Sequence, residues 1–218
     1  GQAADHCFQL YAGEELAVAA SKTYTAQLLA LCMISAALEG EEARWQELGA
    51  VPAAVREALR LGGAAEEAAR AFAGAQRFAV LGRGFNYGTA FEIALKIEET
   101  SYVLAEPYSS ADFRHGPAAL VEQGFPVVAV APSGLVKDEL GDAIAWCQSR
   151  GASVAVLSDD RALLEQGTGG LELPSGVPEW LSPLSSVVAG QLFALECARV
   201  RGLDPDRPRS LSKITATR

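Results

Sequence analysis

From Arg77 onward, short unbroken apolar runs alternate with longer stretches of helical spacing. Arg77-Phe-Ala-Val-Leu-Gly82, Pro126-Val-Val-Ala-Val-Ala131, Ala152-Ser-Val-Ala-Val-Leu157 and Gly170-Leu-Glu-Leu173 read as strands. Between them the spacing predicts helices from about Gly88 to Val103, Asp138 to Ser149 and Leu184 to Arg201. A strand apolar along its whole length needs cover on both faces, and strands separated by helices meet as parallel neighbours. The pattern therefore predicts an α/β fold, a parallel sheet flanked by helices, over residues 77–203.

The earlier part of the chain differs. Glu14 to Glu39 is apolar and helix-prone around much of the helix circumference, with Ser21 and Thr23 as candidate caps. Such a helix calls for cover on more than one side. The residues before it offer little, so a missing neighbour is expected, either a removed segment or another subunit. Residues 41–76, rich in Glu, Ala and Arg, read as short linking helices. Pro52 suits a first helical turn and Gly62-Gly63 breaks the run.

Composition narrows the possibilities. The 218 residues, half of them hydrophobic, suffice for one large domain or two small ones, and 21% charged residues give no sign of global disorder. The net charge of −9, from 27 acidic and 18 basic side chains, argues against nucleic acid as a partner. A small anion remains possible where local donors or a helix N-terminus override the global charge. The four cysteines, Cys7, Cys32, Cys147 and Cys197, show no CxxC spacing, and only His6 and His115 supply imidazoles. Neither a metal site nor a cofactor is expected. With no leader pattern and no run of about 18 apolar residues, no membrane contact is expected and the protein reads as soluble and cytoplasmic.

Four places carry candidate chemistry. Gly82-Arg83-Gly84-Phe85-Asn86-Tyr87-Gly88 joins a strand to a helix, where glycines admit close backbone approach and the helix end favours an anion. Its GxGxxxG spacing is one residue too long for a dinucleotide fingerprint, and it lacks a P-loop lysine; a tight structural turn is the equal alternative. On the following helix, Lys96 and Glu99 are three apart and Glu92 is four before Lys96. An exposed ion-pair strip is the default reading, whereas a partly buried Glu99 would suit carbon-proton transfer. His115 follows a polar stretch, Glu106 to Phe113, read as irregular, and precedes Gly116-Pro117 in a predicted loop. The tail Asp206-Arg-Pro-Arg-Ser-Leu-Ser-Lys-Ile-Thr215 reads by composition as a mixed polar terminus.

These segments, taken together and in order, resemble the SIS (sugar isomerase) family, in particular the isomerase half of glutamine–fructose-6-phosphate aminotransferases and their glutaminase-less relatives. The matching stretches are Glu15-Leu-Ala-Val-Ala-Ala-Ser-Lys-Thr-Tyr-Thr-Ala-Gln27, Leu81-Gly-Arg-Gly84, Ala94-Leu-Lys-Ile-Glu-Glu-Thr-Ser-Tyr102, Ala105-Glu106, His115-Gly-Pro117, Pro126 to Pro132 and Asp206 to Lys213. The resemblance implies a flavodoxin-like arrangement with residues 1–40 as the end of a first SIS subdomain. Residues 41–76 would be linking helices, 77–203 a complete second subdomain, and 204–218 an active-site tail.

The resemblance also implies roles. Glu99 matches a proton-transferring glutamate, His115 a ring-opening histidine supplied by the partner in a homodimer, and Lys213 a lysine that holds the sugar carbonyl. Lys96, Ala20, Ser21, Arg209 and Ser212 match substrate-binding positions, although the family usually carries serine where Ala20 stands. The implied substrate is a hexose 6-phosphate, handled by isomerisation, amino-sugar deamination or aminotransferase-like chemistry. The alternative is a non-catalytic phosphosugar-binding or regulatory module. The lack, before Glu15, of the Ser/Thr-rich phosphate loop of a first subdomain favours either that alternative or a chain that is part of a longer protein.

Overall fold

The structure, a computed structural model, describes residues 4–209. An irregular N-terminal segment leads to three helices, α1 (Lys22–Glu39), α2 (Glu42–Ala58) and α3 (Gly62–Ala71). The α/β part then runs β1 (Arg77–Gly82), α4 (Tyr87–Ser101), β2 (Leu104–Ser109), the single turn α5 (Ser110–Phe113), β3 (Pro126–Val130) and α6 (Lys137–Ser149). It closes with β4 (Ser153–Ser158), the single turn α7 (Arg161–Leu164), β5 (Gly169–Glu172) and α8 (Ser182–Val200).

The five strands form one parallel sheet in the order β2-β1-β3-β4-β5. The predicted parallel α/β architecture is therefore present, with one strand more than the sequence reading gave. Leu104–Ser109, read as largely irregular, pairs in parallel with β1 from Arg77↔Leu104 to Gly82↔Ser109. It was hidden because β2 is an edge strand: only part of it is buried, and Pro107, which lacks an N–H, is tolerated where one side of the strand is unpaired.

Successive strand residues feed opposite cores. Phe78, Val80, Val128, Val130, Ala155 and Leu157 pack under α3, α4 and α8, where Phe72, Phe78 and Phe193 meet edge to face or tilted at centroid distances of 5.8–6.1 Å. Ala79, Leu81, Val127, Ala129, Val154 and Val156 pack on the other side against Phe113, Leu140, Ile144 and Cys147. The helix spanning Glu179–Val200 is long and apolar enough to cross a membrane, but 83% of its most apolar stretch is buried inside the fold. Here it serves as the central core helix.

Three local expectations are corrected. Pro52 lies well inside α2, not in a first turn, and Gly62 opens α3 directly after a 3-10 turn over Leu59–Leu61. Ser21 is the N-cap of α1, yet neither its hydroxyl nor that of Thr23 caps the helix. Instead Glu15 Oε1 accepts from the Ser21 and Thr23 backbone N–H groups at 3.1 and 2.7 Å. Beyond α1's N-terminus the apolar surface is largely uncovered: Leu31 is 63% and Leu38 84% exposed, and Met33 and Ile34 are exposed as well.

Candidate functional site

In a doubly wound sheet, ligands favour the crevice beyond the strand C-termini where the strand order reverses, here between β1 and β3. In this chain the glycine-rich turn borders that place. At Gly82 a Cβ would run into the Asn86 carbonyl, and Gly84, at φ +56°, lies against Val136. Asn86 Nδ2 donates to Ser182 Oγ at 2.7 Å and Thr89 donates to Asn86 Oδ1 at 3.1 Å. Arg83 pairs with Glu139 at 2.6 Å, and Asp159 accepts from the Ser133 N–H. The Gly82–Asn86 approach and the bonds of Asn86 to Ser182 and Thr89 fit a tight strand-to-helix connection.

The other end of α4 is different. Lys96 and Glu99 form a direct ion pair on its face, and Lys96 Nζ also lies 3.9 Å from Glu92 Oε1. The side chains of Lys96 and Glu92 are only 8% and 5% exposed, while that of Glu99 is 25% exposed. The default reading of an exposed charged strip therefore fails, because α8 packs across α4 and takes this face out of water. Burial holds the Glu92 carboxyl above its ordinary range against the opposing pull of Lys96 and Gln191; the charges of Glu99 and Glu15 add to the rise. The neighbouring Tyr24 hydroxyl is raised too, by burial and by the charge of Glu92.

Lys96 opens into a cleft of about 250 Å³ lined also by Ala17, Ala19, Ser21, Thr100, Gln191 and Asp206. The segment before α1, helices α4 and α8, and the chain after α8 thus converge on one space. Ser21 and Lys96, both predicted as substrate-binding, share it, and Ala20 lies between lining residues Ala19 and Ser21. Glu15 shapes this wall: burial opposes its charge, but the Thr23 and Ser21 donors and Lys22 outweigh that and hold its carboxyl below the usual value. Pro205 and Asp206 bring the tail alongside, and Arg209 anchors it to the end of α4. Its backbone N–H donates to the Tyr102 hydroxyl at 2.7 Å and its guanidinium lies 4.2 Å from the Tyr102 ring centroid. Ser212 and Lys213 lie outside the described residues.

His115 is not part of this cluster. It is exposed and follows the C-terminal end of β2, whereas Glu99 precedes the N-terminal end of that strand. The length of β2, roughly 17 Å at ~3.3 Å per residue, separates the two positions along the sheet. Glu15 and Gln191 escaped the sequence reading. Gln191 left a signal, as the one polar side chain in the apolar run from Val187 to Leu195. Glu15 opens a stretch that resembles the family, but its bonding role was not legible, because its hydrogen bonds span six and eight residues of irregular chain.

Among known proteins, the SIS domain family model matches residues 71–200. The glutamine–fructose-6-phosphate aminotransferase (isomerizing) of Thermococcus kodakarensis is 41% identical over 96% of this chain. That of Pseudomonas syringae is 35% identical over 93%. The chain spans about a third of the length of these relatives, 36% and 35% respectively. Among solved structures, the C-terminal domain of glucosamine-fructose-6-phosphate aminotransferase from Francisella tularensis superimposes with a TM-score of 0.82 at 31% identity, covering 89% of this chain and 58% of that one. Glucosamine-6-phosphate deaminase from Thermotoga maritima gives 0.69 at 25% identity, covering 92% and 58%.

Proposed function

This chain belongs to the SIS domain family, and on that premise we propose that it carries the acid–base half of an enzyme acting on a hexose 6-phosphate. The reaction class is ketose/aldose isomerisation, with amino-sugar deamination or amination as its nitrogen-bearing form. The observation that carries this reading is the Lys96–Glu99 ion pair on α4, whose lysine is largely withdrawn from bulk water and lines a cleft. Moving hydrogen between adjacent sugar carbons needs a base that takes a proton from one carbon and returns it to the next. A half-buried carboxylate suits that task, and a neighbouring ammonium offsets the negative charge developing on the oxygen of the enediol.

In this reading Glu99 shuttles the proton, Lys96 stabilises the oxyanion, and Lys213 holds the carbonyl carbon's end of the open chain. Ala20 and Ser21 present backbone and hydroxyl groups to the sugar, and Arg209 and Ser212 bind it from the tail. His115 opens the ring from a second copy of the chain, because within one copy it sits at the opposite end of β2 from Glu99. A reducing, cytoplasmic setting belongs to the same proposal. Cys7, Cys32, Cys147 and Cys197 are all free, and burial pushes the thiols of Cys147 and Cys197 up to about 11 and about 12.

The test is Glu99→Gln in the full-length protein, measuring interconversion of fructose and glucose 6-phosphates and ammonia release from glucosamine 6-phosphate. A fall in turnover of about 10²-fold or more is expected, with sugar-phosphate affinity by calorimetry nearly unchanged. Undiminished turnover removes Glu99 from the mechanism. Binding without turnover in the unmodified protein favours the non-catalytic module.

A further inference from the structure

The buried end of the Lys96 cleft holds a third layer behind the Lys96–Glu99 pair. Gln191 Nε2 donates to Glu92 Oε1 at 3.1 Å, the same oxygen that lies 3.9 Å from Lys96 Nζ. Gln191 projects from α8, across from α4, and lines both the 250 Å³ cleft and an adjoining cavity of about 470 Å³. A glutamine side chain here forgoes part of the apolar packing made by its helix neighbours, and its amide is directed at a carboxylate only 5% exposed.

We propose that Gln191 is a positioning residue: its amide fixes the Glu92 carboxylate so that Lys96 is held between two carboxylates, and it thereby governs the charge state of the Lys96–Glu99 pair. The inference rests on the function proposed above only for its catalytic consequence.

The electrostatics are specific. Glu92 faces Lys96 and Glu99 from its own helix, the Glu15 carboxylate from the segment before α1, the Tyr24 hydroxyl from α1 and the neutral Gln191 from α8. Asp206, after α8, borders the same cleft. Burial, Glu99 and Glu15 all favour the neutral acid at Glu92, and only Lys96 and the Gln191 amide favour its charge. Removing the amide moves Glu92 toward the uncharged acid and withdraws one of two anionic partners from Lys96. The ammonium then gives up its proton more readily. A glutamine that merely filled space would change stability on removal and leave the Lys96 titration where it was.

The experiment uses full-length protein carrying ¹³Cε-lysine, with the Lys96 resonance assigned by its loss in Lys96→Arg. Its titration is followed by NMR in the unmodified protein and in Gln191→Leu, Gln191→Glu, Glu92→Gln and the Glu92→Gln/Gln191→Leu double variant. The expected result is a Lys96 midpoint lowered by about half a pH unit or more in Gln191→Leu and raised in Gln191→Glu. Gln191→Leu should cause no further change once Glu92 is glutamine, because the effect passes through that carboxylate. The alkaline limb of the turnover profile is expected to move in the same direction. An unmoved Lys96 midpoint in both Gln191 variants, or an equal shift in the Glu92→Gln background, overturns the inference. The NMR readout requires no substrate, so absence of sugar turnover in the unmodified protein counts against the assigned reaction and not against Gln191.

Discussion

At the scale of single residues, the site depends on how closely α4 and α8 approach. Gly190 is the contact point: a Cβ there would overlap Cγ1 and Cδ1 of Ile93, which is fully buried and has nowhere to move. Overpacking of this kind costs ~1–3 kcal/mol, against which Ala in place of Gly recovers at most ~1 kcal/mol of helix propensity. Gly190→Ala is therefore expected to be destabilising by about 1–2 kcal/mol in urea unfolding, and Ile93→Val in the same chain to restore part of the loss. An unchanged midpoint would mean that the helices shift apart at no expense. The spacing of Lys96 and Glu99 on one helix face was plain from the sequence, since residues three apart are neighbours. Their burial was not, because it is imposed by α8, about a hundred residues later in the chain.

At the scale of elements, α1 begins in an unusual way. Its first free N–H groups are met by the Glu15 carboxylate, not by the hydroxyls that the sequence offers as caps. A carboxylate at this position also complements the helix dipole. Replacement by Gln is expected to weaken the α1 region by about 1 kcal/mol near neutral pH. The sign of its pH dependence follows from the lowered carboxyl. The unfolded chain takes up the proton first as pH falls, so the stabilisation is present above the unfolded value and disappears as pH drops through the folded one. Unfolding curves of unmodified and Glu15→Gln protein should differ at pH 7 and converge toward pH 3. A constant difference would show that packing, not charge, is responsible. The edge strand β2 teaches a related lesson. Its polar, proline-bearing sequence has little strand character by itself, and it becomes a strand because β1 offers an unpaired edge.

At the scale of the whole molecule, the α/β part is covered on both sheet faces while α1 is not. Leu31, Met33, Ile34 and Leu38 are exposed on it, with Phe8 and Trp45 exposed nearby. Large apolar side chains exposed together in this way favour association. The 218-residue chain expressed alone is expected to bind an apolar fluorescent dye and to associate in sedimentation experiments. Leu31→Glu with Leu38→Glu is expected to abolish both effects without loss of secondary structure. A monodisperse, dye-silent chain would mean that this face tolerates water.

The pattern of apolar runs by itself determined the parallel sheet except for its edge strand β2, and the main helices between its strands, because strand and helix periodicities are local properties of sequence. Tertiary structure alone decided that the charged strip of α4 is largely buried, that Gln191 lines the cleft, and that Glu15 braces the Ser21 and Thr23 backbone beside it. It also decided that His115 stands apart from Glu99. Each of these depends on contacts between residues remote in the chain, and such contacts fix which charges lose water and which remain in it.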